Sequence, residues 1–493
     1  MKRVPAIRIS ACNKAPKRKD GAYILYWMIA NRRLQENFAL QRAVELANEH
    51  GVGLLIFEPL RIGYRWASDR IHRFIIDGMC DHYHHFEDAK RANKARYYPY
   101  LELEANQGKG ALEALATNAV MVVTDEFPCF FLPMMVEAAA KKLDVRLEQV
   151  DSNGLLPLRA APKTYTTAYS FRRGLHKILP DHLEAFPEID PLAELEKDFD
   201  DDWLPEGFKK KWPTASEAML AHGAREPLAE LDIDHDVAPV PFRGGAVAAL
   251  DRMETFLDEK LAAYPEDRNK PSEQGASGLS PYLHFGHIGV HTIFRELTER
   301  EGWSPSDIAT KPTGKREGWW NMSEGAESFV DELITWREIG YNMAHREPDT
   351  YDKYESLPDW AKETLAIHVE DERKYVYTLE EFENAETHDE LWNAAQRQLV
   401  QEGHIQNYLR MLWGKKILHW TSNAQDALEI MIELNNKYGI DGRNPNSYSG
   451  IFWTLGRYDR GWTERDIFGK VRYMTSDSTR RKYKVEDYIA RYS

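Results

Sequence analysis

Cysteine is scarce in this chain: Cys12, Cys80 and Cys129 are three residues among 493, and they lie far apart. They cannot supply a four-thiolate iron–sulfur cluster, and no CxxC or Cys/His spacing marks a zinc site. His82, His84 and His85 crowd into "CDHYHHFED". A polar helix end is the simpler reading of them, so no metal is expected. Long apolar runs are missing as well. None reaches the roughly 18 residues that a membrane-spanning helix requires, so no membrane partner is expected. The N-terminal "MKRVPAIRISACNKAPKRKDGAY" is basic but has no apolar block and no small-residue cleavage site. Cytoplasmic residence is the resulting expectation. GxGxxG and Walker A loops are absent from the sequence, which removes the phosphate-cradling signature of ordinary dinucleotide and NTP sites. No repeat period stands out, and a solenoid is not expected.

What the chain does have is bulk apolar material, 43% hydrophobic residues with 12% aromatic. That allows large buried cores, and the length implies about two or three domains. A net charge of −15 argues against a uniformly basic surface. It leaves room for a local basic groove. Residues 443–493 carry eleven Lys/Arg against six Asp/Glu, so positive charge is concentrated at the C-terminal end. A solvated face explains that asymmetry as well as a polyanion contact does.

The first third alternates strand and helix patterns. "AYILYWMI" (22–29) and "VGLLIFEPL" (52–60) are short apolar runs suited to buried parallel strands. Between them "NFALQRAVELANEHG" has helical spacing and ends at Gly51, a C-cap candidate. The strand signal returns in "AVMVVTDEFP" (119–128) and "VRLEQVDSNGLLPL" (145–158), with the helical "PMMVEAAAKKL" between. This rhythm predicts a Rossmann-like α/β domain with a doubly wound parallel sheet over 1–180. Pro, Asp and Glu break the pattern from 181 to 240, which reads as a connector running over the first domain. From 241 to 493 the pattern is helical, and an all-α domain is expected.

Tryptophan concentrates in that helical part. Trp392, Trp413 and Trp420 fall in "LWNAAQRQLVQEGHIQNYLRMLWGKKILHW", and Trp453 follows in "SGIFWTLG". If 404–420 is one helix, Trp413 and Trp420 share a face about 10 Å apart along its axis. Indoles so spaced could relay single electrons. Periodicity alone favours a packing role, because Leu409, Leu412, Ile417 and Leu418 recur at the same spacing.

The order of the longer motifs decides more. "GAYILYWMIANRRLQENFAL" near the start is followed by "SGLSPYLHFGHIG" (277–289), "LWNAAQ…NYLRMLWGKKILHW" (391–420), "DGRNPNSYSGIFW" and "RGWTERDIFGKVRYM". Together they resemble the photolyase/cryptochrome family, and within it the class II cyclobutane-pyrimidine-dimer photolyases, over essentially the whole chain.

The resemblance implies FAD, active when reduced, in the helical domain. Ser277, Leu279 and Ser280 match the segment that holds the flavin diphosphate, and Tyr264 matches a tyrosine near the same phosphates. Arg410 and Asp441 match a buried pair beside the isoalloxazine ring. Either Asn435 or Asn446 matches the asparagine near flavin N5. Glu332 matches the glutamate that hydrogen-bonds the dimer; Glu338 is the other candidate, and Glu332 is preferred because it leaves Trp336 facing the pocket. Trp336 and Trp453 match aromatic walls for the flipped dimer, and Met411 a methionine that packs on it. Arg268, Arg460 and Arg472 match DNA-contacting positions. Trp392, Trp413 and Trp420 match the residues that re-reduce oxidised flavin from the surface. The loop "FWTLGRYDRGW" is one residue shorter than in the family, and Arg457 replaces a small residue there. The expected activity is light-driven repair of pyrimidine dimers in UV-damaged DNA by a monomer. A cryptochrome-like sensor or a (6-4) photoproduct enzyme are the alternatives; the latter would want histidines lining the pocket, and His284, His287 and His404 do not match such a motif. An antenna chromophore of unspecified identity is expected in the α/β domain.

Overall fold

The computed structural model describes residues 2–87, 94–223 and 226–493. They divide into two compact units whose segments alternate along the chain. The first contains Met1–Ala160, Asp181–Glu254 and Leu279–Glu299; the second contains Ala161–Pro180, Thr255–Gly278 and Arg300–Ser493. These divisions do not coincide with a 181–240 connector, because that stretch packs into the first unit.

The first unit is built on a six-stranded sheet: β1 (Ile9–Ala11), β2 (Tyr23–Trp27), β3 (Gly53–Leu60), β4 (Ala95–Leu101), β5 (Ala119–Asp125) and β6 (Leu147–Val150), in the order β1-β6-β5-β2-β3-β4. All neighbours pair in parallel except β1 with β6. The apolar runs at 22–29, 52–60, 119–128 and 145–158 supply β2, β3, β5 and β6. Sequence reading missed β1 and β4, the two edges. β1 is only three residues long, and β4 carries Pro99, which removes a ladder donor and weakens the strand signal. The first crossover helix, Phe38–His50, starts at Asn37, whose side chain accepts from the Ala39 and Leu40 amides. It ends at Gly51 with φ 63°, the left-handed cap expected from the sequence.

The strand order reverses between β2 and β5, where doubly wound sheets place ligands. Here the local anion seat is already filled. The Asp125 carboxylate, at the end of β5, accepts from the successive amides of Ile29 (2.8 Å), Ala30 (2.8 Å) and Asn31 (3.0 Å), and from the Tyr26 hydroxyl (2.7 Å). A side chain thus occupies the nest of N–H groups that a nucleotide phosphate would use. This is the structural counterpart of the missing glycine-rich loop.

His82 is not at a polar helix end. It lies on the helix Asp69–Glu87 but points into the unit, with Nδ1 2.8 Å from Glu58 Oε2. Glu58 also accepts from Arg32 Nη1 (2.8 Å) and the Tyr97 hydroxyl (2.7 Å). Burial raises the Glu58 pKa, but His82 and Arg32 outweigh it and hold the carboxyl down at about 2. The stretch after 181 contributes Phe199 and Trp203, packed on Gly53, and Phe208 and Trp212, packed against each other beside Tyr98.

The second unit is helical; among the described residues no strand follows Val150. Two glycines bring its helices into close contact. A Cβ on Gly340 would lie 2.6 Å from the Pro445 carbonyl oxygen, so Arg337–Arg346 and Pro445–Thr454 approach at backbone distance. A Cβ on Gly414 would lie 2.7 Å from Thr454 Cγ2, which sets the helix Asn407–His419 equally close. Among the described residues no helix is long and apolar enough to cross a membrane.

Candidate active site

Residues Asp331–Trp336 form a π-helix between the α-helices Glu324–Val330 and Arg337–Arg346. Widened turns of this kind cost backbone energy and recur at functional sites. Its first residue is anchored by a buried, bidentate pair: Arg172 Nε and Nη2 donate to Asp331 at 2.7 and 2.8 Å. The next residue, Glu332, is half-buried and ion-paired with Arg268. Arg268 closes the short helix Tyr264–Asp267, and its guanidinium lies 5.6 Å from the Tyr264 ring centre. Tyr264 is buried, and desolvation pushes its hydroxyl pKa above the usual range. Three residues singled out for different tasks (Tyr264, Arg268 and Glu332) are therefore contiguous. Arg268, expected to face DNA, is turned onto the glutamate. Trp336 is half-buried at the far end of the π-turn, whereas Glu338 is buried at 4% exposure.

The tryptophans form a stack that helical spacing does not show. Trp392, on the helix Glu390–Glu402, lies between the other two: its ring is parallel to Trp413 (centres 6.4 Å, 4° between planes) and edge-on to Trp420 (6.1 Å, 71°). Hydrogen bonds orient two of the rings. Trp392 Nε1 donates to the Trp413 carbonyl (3.0 Å), and Trp413 Nε1 donates to Gln396 Oε1 (2.9 Å). All three indoles are buried, at 0%, 2% and 2% exposure, so none of them reaches the surface itself. The half-buried Tyr377 lies edge-on to Trp420 at 5.7 Å, and its hydroxyl is 2.7 Å from His388 Nδ1. Sequence reading missed Tyr377, whose only signal is its place in the aromatic "KYVYTLEEF".

The next helix, Ala424–Tyr438, carries Asn435. Its amide nitrogen donates to Ser447 Oγ (2.9 Å), Gly442 O (3.1 Å) and Asn436 Oδ1 (3.1 Å). Three acceptors around Nδ2 set the amide orientation and leave Oδ1 as an acceptor. Asn446 is half-buried, and its backbone amide is taken by Asn444 Oδ1. Arg410 and Asp441 do not form the buried ion pair expected of them. Both are half-buried, and Arg410 Nη2 turns back along its own helix to Asn407 Oδ1 at 3.2 Å. Met411 packs against the cluster of Leu391, Leu409, Leu412 and Tyr488.

Trp453 sits in a ladder of cations and rings. Lys415 Nζ is 4.9 Å and Arg472 Cζ 5.5 Å from its ring centre; Arg472 also lies 4.9 Å from Trp462, and Arg460 5.6 Å from the same ring. Trp462 and Arg460 are exposed. Basic residues interleaved with aromatic faces suit a nucleic-acid strand. Lys415 and Trp462 escaped sequence reading: nothing in "WGKKILHW" marks the first lysine as fully buried. Arg457 ties its loop down, bonding the Ser356 carbonyl and, at 3.0 Å, Glu347. Ser277 belongs to the helical unit, while Leu279 and Ser280 belong to the α/β unit. His284 and His287 also lie in the α/β unit, and His404 is exposed, beside Glu402.

No family model matches the chain. It is nevertheless similar to known proteins along its full length. A deoxyribodipyrimidine photo-lyase of Methanothermobacter thermautotrophicus is 35% identical over 491 residues, covering 99% of this chain and 98% of the relative. Those of Arabidopsis thaliana (32%, covering 95% and 88%) and Potorous tridactylus (31%, covering 94% and 80%) agree. A bacterial class III photolyase from Agrobacterium tumefaciens has the same fold, with a TM-score of 0.63 at 16% identity over 96% of this chain and 86% of that one. The fold and the relatives define a DNA photolyase, a carbon–carbon lyase. The chain belongs to the deoxyribodipyrimidine photolyase family.

Proposed function

We propose that the protein splits cyclobutane pyrimidine dimers in DNA, using light and a reduced FAD held by the helical unit. The observation that carries the light-driven reading is the buried Trp413–Trp392–Trp420 stack, whose rings lie 6.4 and 6.1 Å apart. Successive ring separations this short, through a buried run of three indoles, suit single-electron hopping, whichever way the rings are tilted.

The donor set fits a flavin. Asn435 offers a carbonyl acceptor whose amide is already engaged, which suits the N5–H of reduced flavin better than Asn446 does. Arg410 supplies a cation for the ring system, and Tyr264 and Ser277 are proposed at the diphosphate. The bound FAD supplies an electron donor that light can excite.

The chain's own residues manage the lesion. Extruding a damaged pair costs a few kcal/mol of stacking, less than for intact bases. Trp336 and Trp453 provide apolar faces for the extruded dimer, and Met411 adapts to its shape. Glu332 accepts and Arg268 donates, so their pair offers both partners to an imide edge that carries N–H and C=O side by side. Arg460 and Arg472 engage backbone phosphates, with Trp462 between them as a stacking face. Tyr377 continues the indole stack toward solvent. In the α/β unit a light-harvesting chromophore is proposed; with Asp125 in the N–H nest, it is not anchored there by a phosphate.

The test is purified protein, anaerobically reduced, mixed with dimer-containing DNA under blue light. Light-dependent loss of dimers is expected. No loss overturns the repair reading in favour of a blue-light sensor.

A further inference from the structure

The α/β unit brings together a cysteine and two histidines that the photochemistry does not use. We propose that Cys80, His84 and His222 form a binding site for one divalent transition metal of the zinc type. One ligand atom from each, the Cys80 sulfur and an imidazole nitrogen of each histidine, lies within 4.8 Å of the other two. Cys80 and His84 are one turn apart on the helix Asp69–Glu87 and so share a face. His222 comes from the stretch after 181, two residues beyond the short helix Glu217–Leu220. No spacing rule along the chain could have joined it to the other two.

The surroundings are arranged as metal sites are. His84 Nδ1 is 2.8 Å from Glu87 Oε2, which fixes the ring tautomer and leaves Nε2 as the metal-binding atom. His222 has carboxylates near both nitrogens, Asp77 Oδ1 at 3.6 Å from Nδ1 and Asp81 Oδ1 at 3.7 Å from Nε2. One nitrogen can therefore bind the metal while the other donates to a carboxylate. Arg73 and Arg243 pair with Asp77 and Asp81 and limit the excess negative charge. Cys80 is 2% exposed, whereas both histidines are open to solvent, so an ion enters from the histidine side.

One sulfur and two imidazole nitrogens select a borderline-soft ion in tetrahedral geometry, with water in the fourth position. Magnesium and calcium prefer all-oxygen sites. Zinc–sulfur and zinc–nitrogen bonds of about 2.3 and 2.0 Å put ligand atoms roughly 3.3–3.8 Å apart. Closing from 4.8 Å takes about 1 Å, within reach of rotation by two exposed imidazoles. Coordination exchanges the thiol proton for the metal and ties His222 and its short helix onto the Asp69–Glu87 helix.

The test uses the full-length protein, freed of metal by a chelator and titrated with Co²⁺ alone. One equivalent is expected to give the intense red-region bands of tetrahedral cobalt and a near-ultraviolet thiolate charge-transfer band, both abolished by Zn²⁺. His84→Gln and His222→Gln, at exposed positions that leave the circular dichroism unchanged, should each weaken Zn²⁺ binding by about 10-fold or more. Cys80→Ser should remove the charge-transfer band. A six-coordinate cobalt spectrum without that band, or His222→Gln binding Zn²⁺ as tightly as the parent, overturns the proposal.

Discussion

Lys415 gives the sharpest test of how the helical unit is built. It is fully buried; Nζ donates to the Thr454 carbonyl at 2.6 Å and lies 4.9 Å from the centre of Trp453. Burial pushes its pKa down to about 7, with Arg472 adding to the effect and Asp459 opposing it. An unfolded lysine titrates near ~10.4. Between those two values the unfolded chain holds a proton that the folded chain has lost. Stability therefore rises with pH across this window, by about 1.4 kcal/mol per pH unit, and the cost of the buried charge is fully felt below about pH 7. From about pH 7 to about pH 10 the gain is about 4 kcal/mol. Lys415→Met keeps an unbranched side chain and removes the titration. Urea unfolding of both proteins, followed by tryptophan fluorescence across that range, reads the difference, in which all other groups cancel. Relative to the parent, the variant should be about 4 kcal/mol more stable at the low end than at the high end. Parallel stability curves would show that Lys415 keeps its charge throughout, and the account of this buried lysine would fail.

Other perturbations separate the roles of neighbouring residues. Trp413→Phe should stop photoreduction of oxidised flavin while leaving light-driven repair by chemically reduced enzyme largely intact; loss of both, measured by absorbance and dimer counting, would make the indole structural. Arg472→Ala should weaken binding to damaged DNA and reduce the slope of log affinity against log salt by about 1, read from anisotropy titrations at several salt concentrations. Gly340→Ala forces a methyl against the Pro445 carbonyl and should cost about 1–3 kcal/mol in urea unfolding, with weaker dimer binding as the helix bearing Trp453 shifts.

Much of the α/β unit was legible because buried parallel strands leave continuous apolar runs, as at Tyr23–Trp27 and Ala119–Asp125. The edges were not, since β4 mixes Arg96 and Pro99 into its run. In the candidate site, motif order nominated the residues, but their partners come from tertiary structure. Spacing put Trp413 and Trp420 about 10 Å apart. It could not show that Trp392, from another helix, fills the gap. The π-turn at Glu332 has no sequence signature, because its extra residue is stabilised by contacts such as Arg172 with Asp331. Arg410 and Asp441 show the reverse failure: a pairing expected from motif position is not made, because Arg410 finds Asn407 on its own helix.

The interleaving of the two units along the chain has a consequence for how the protein is made. The sheet-bearing unit draws its last segment from Leu279–Glu299, and the helical unit draws its first from Ala161–Pro180. On a ribosome, the first unit cannot close until well over half the polypeptide has emerged. By then two pieces of the second, Ala161–Pro180 and Thr255–Gly278, are already exposed and waiting for the C-terminal segment Arg300–Ser493. Domains usually fold one after the other during synthesis. Here no single cut releases either unit whole, so truncations should yield insoluble fragments, and the nascent chain has a long interval in which to need a chaperone.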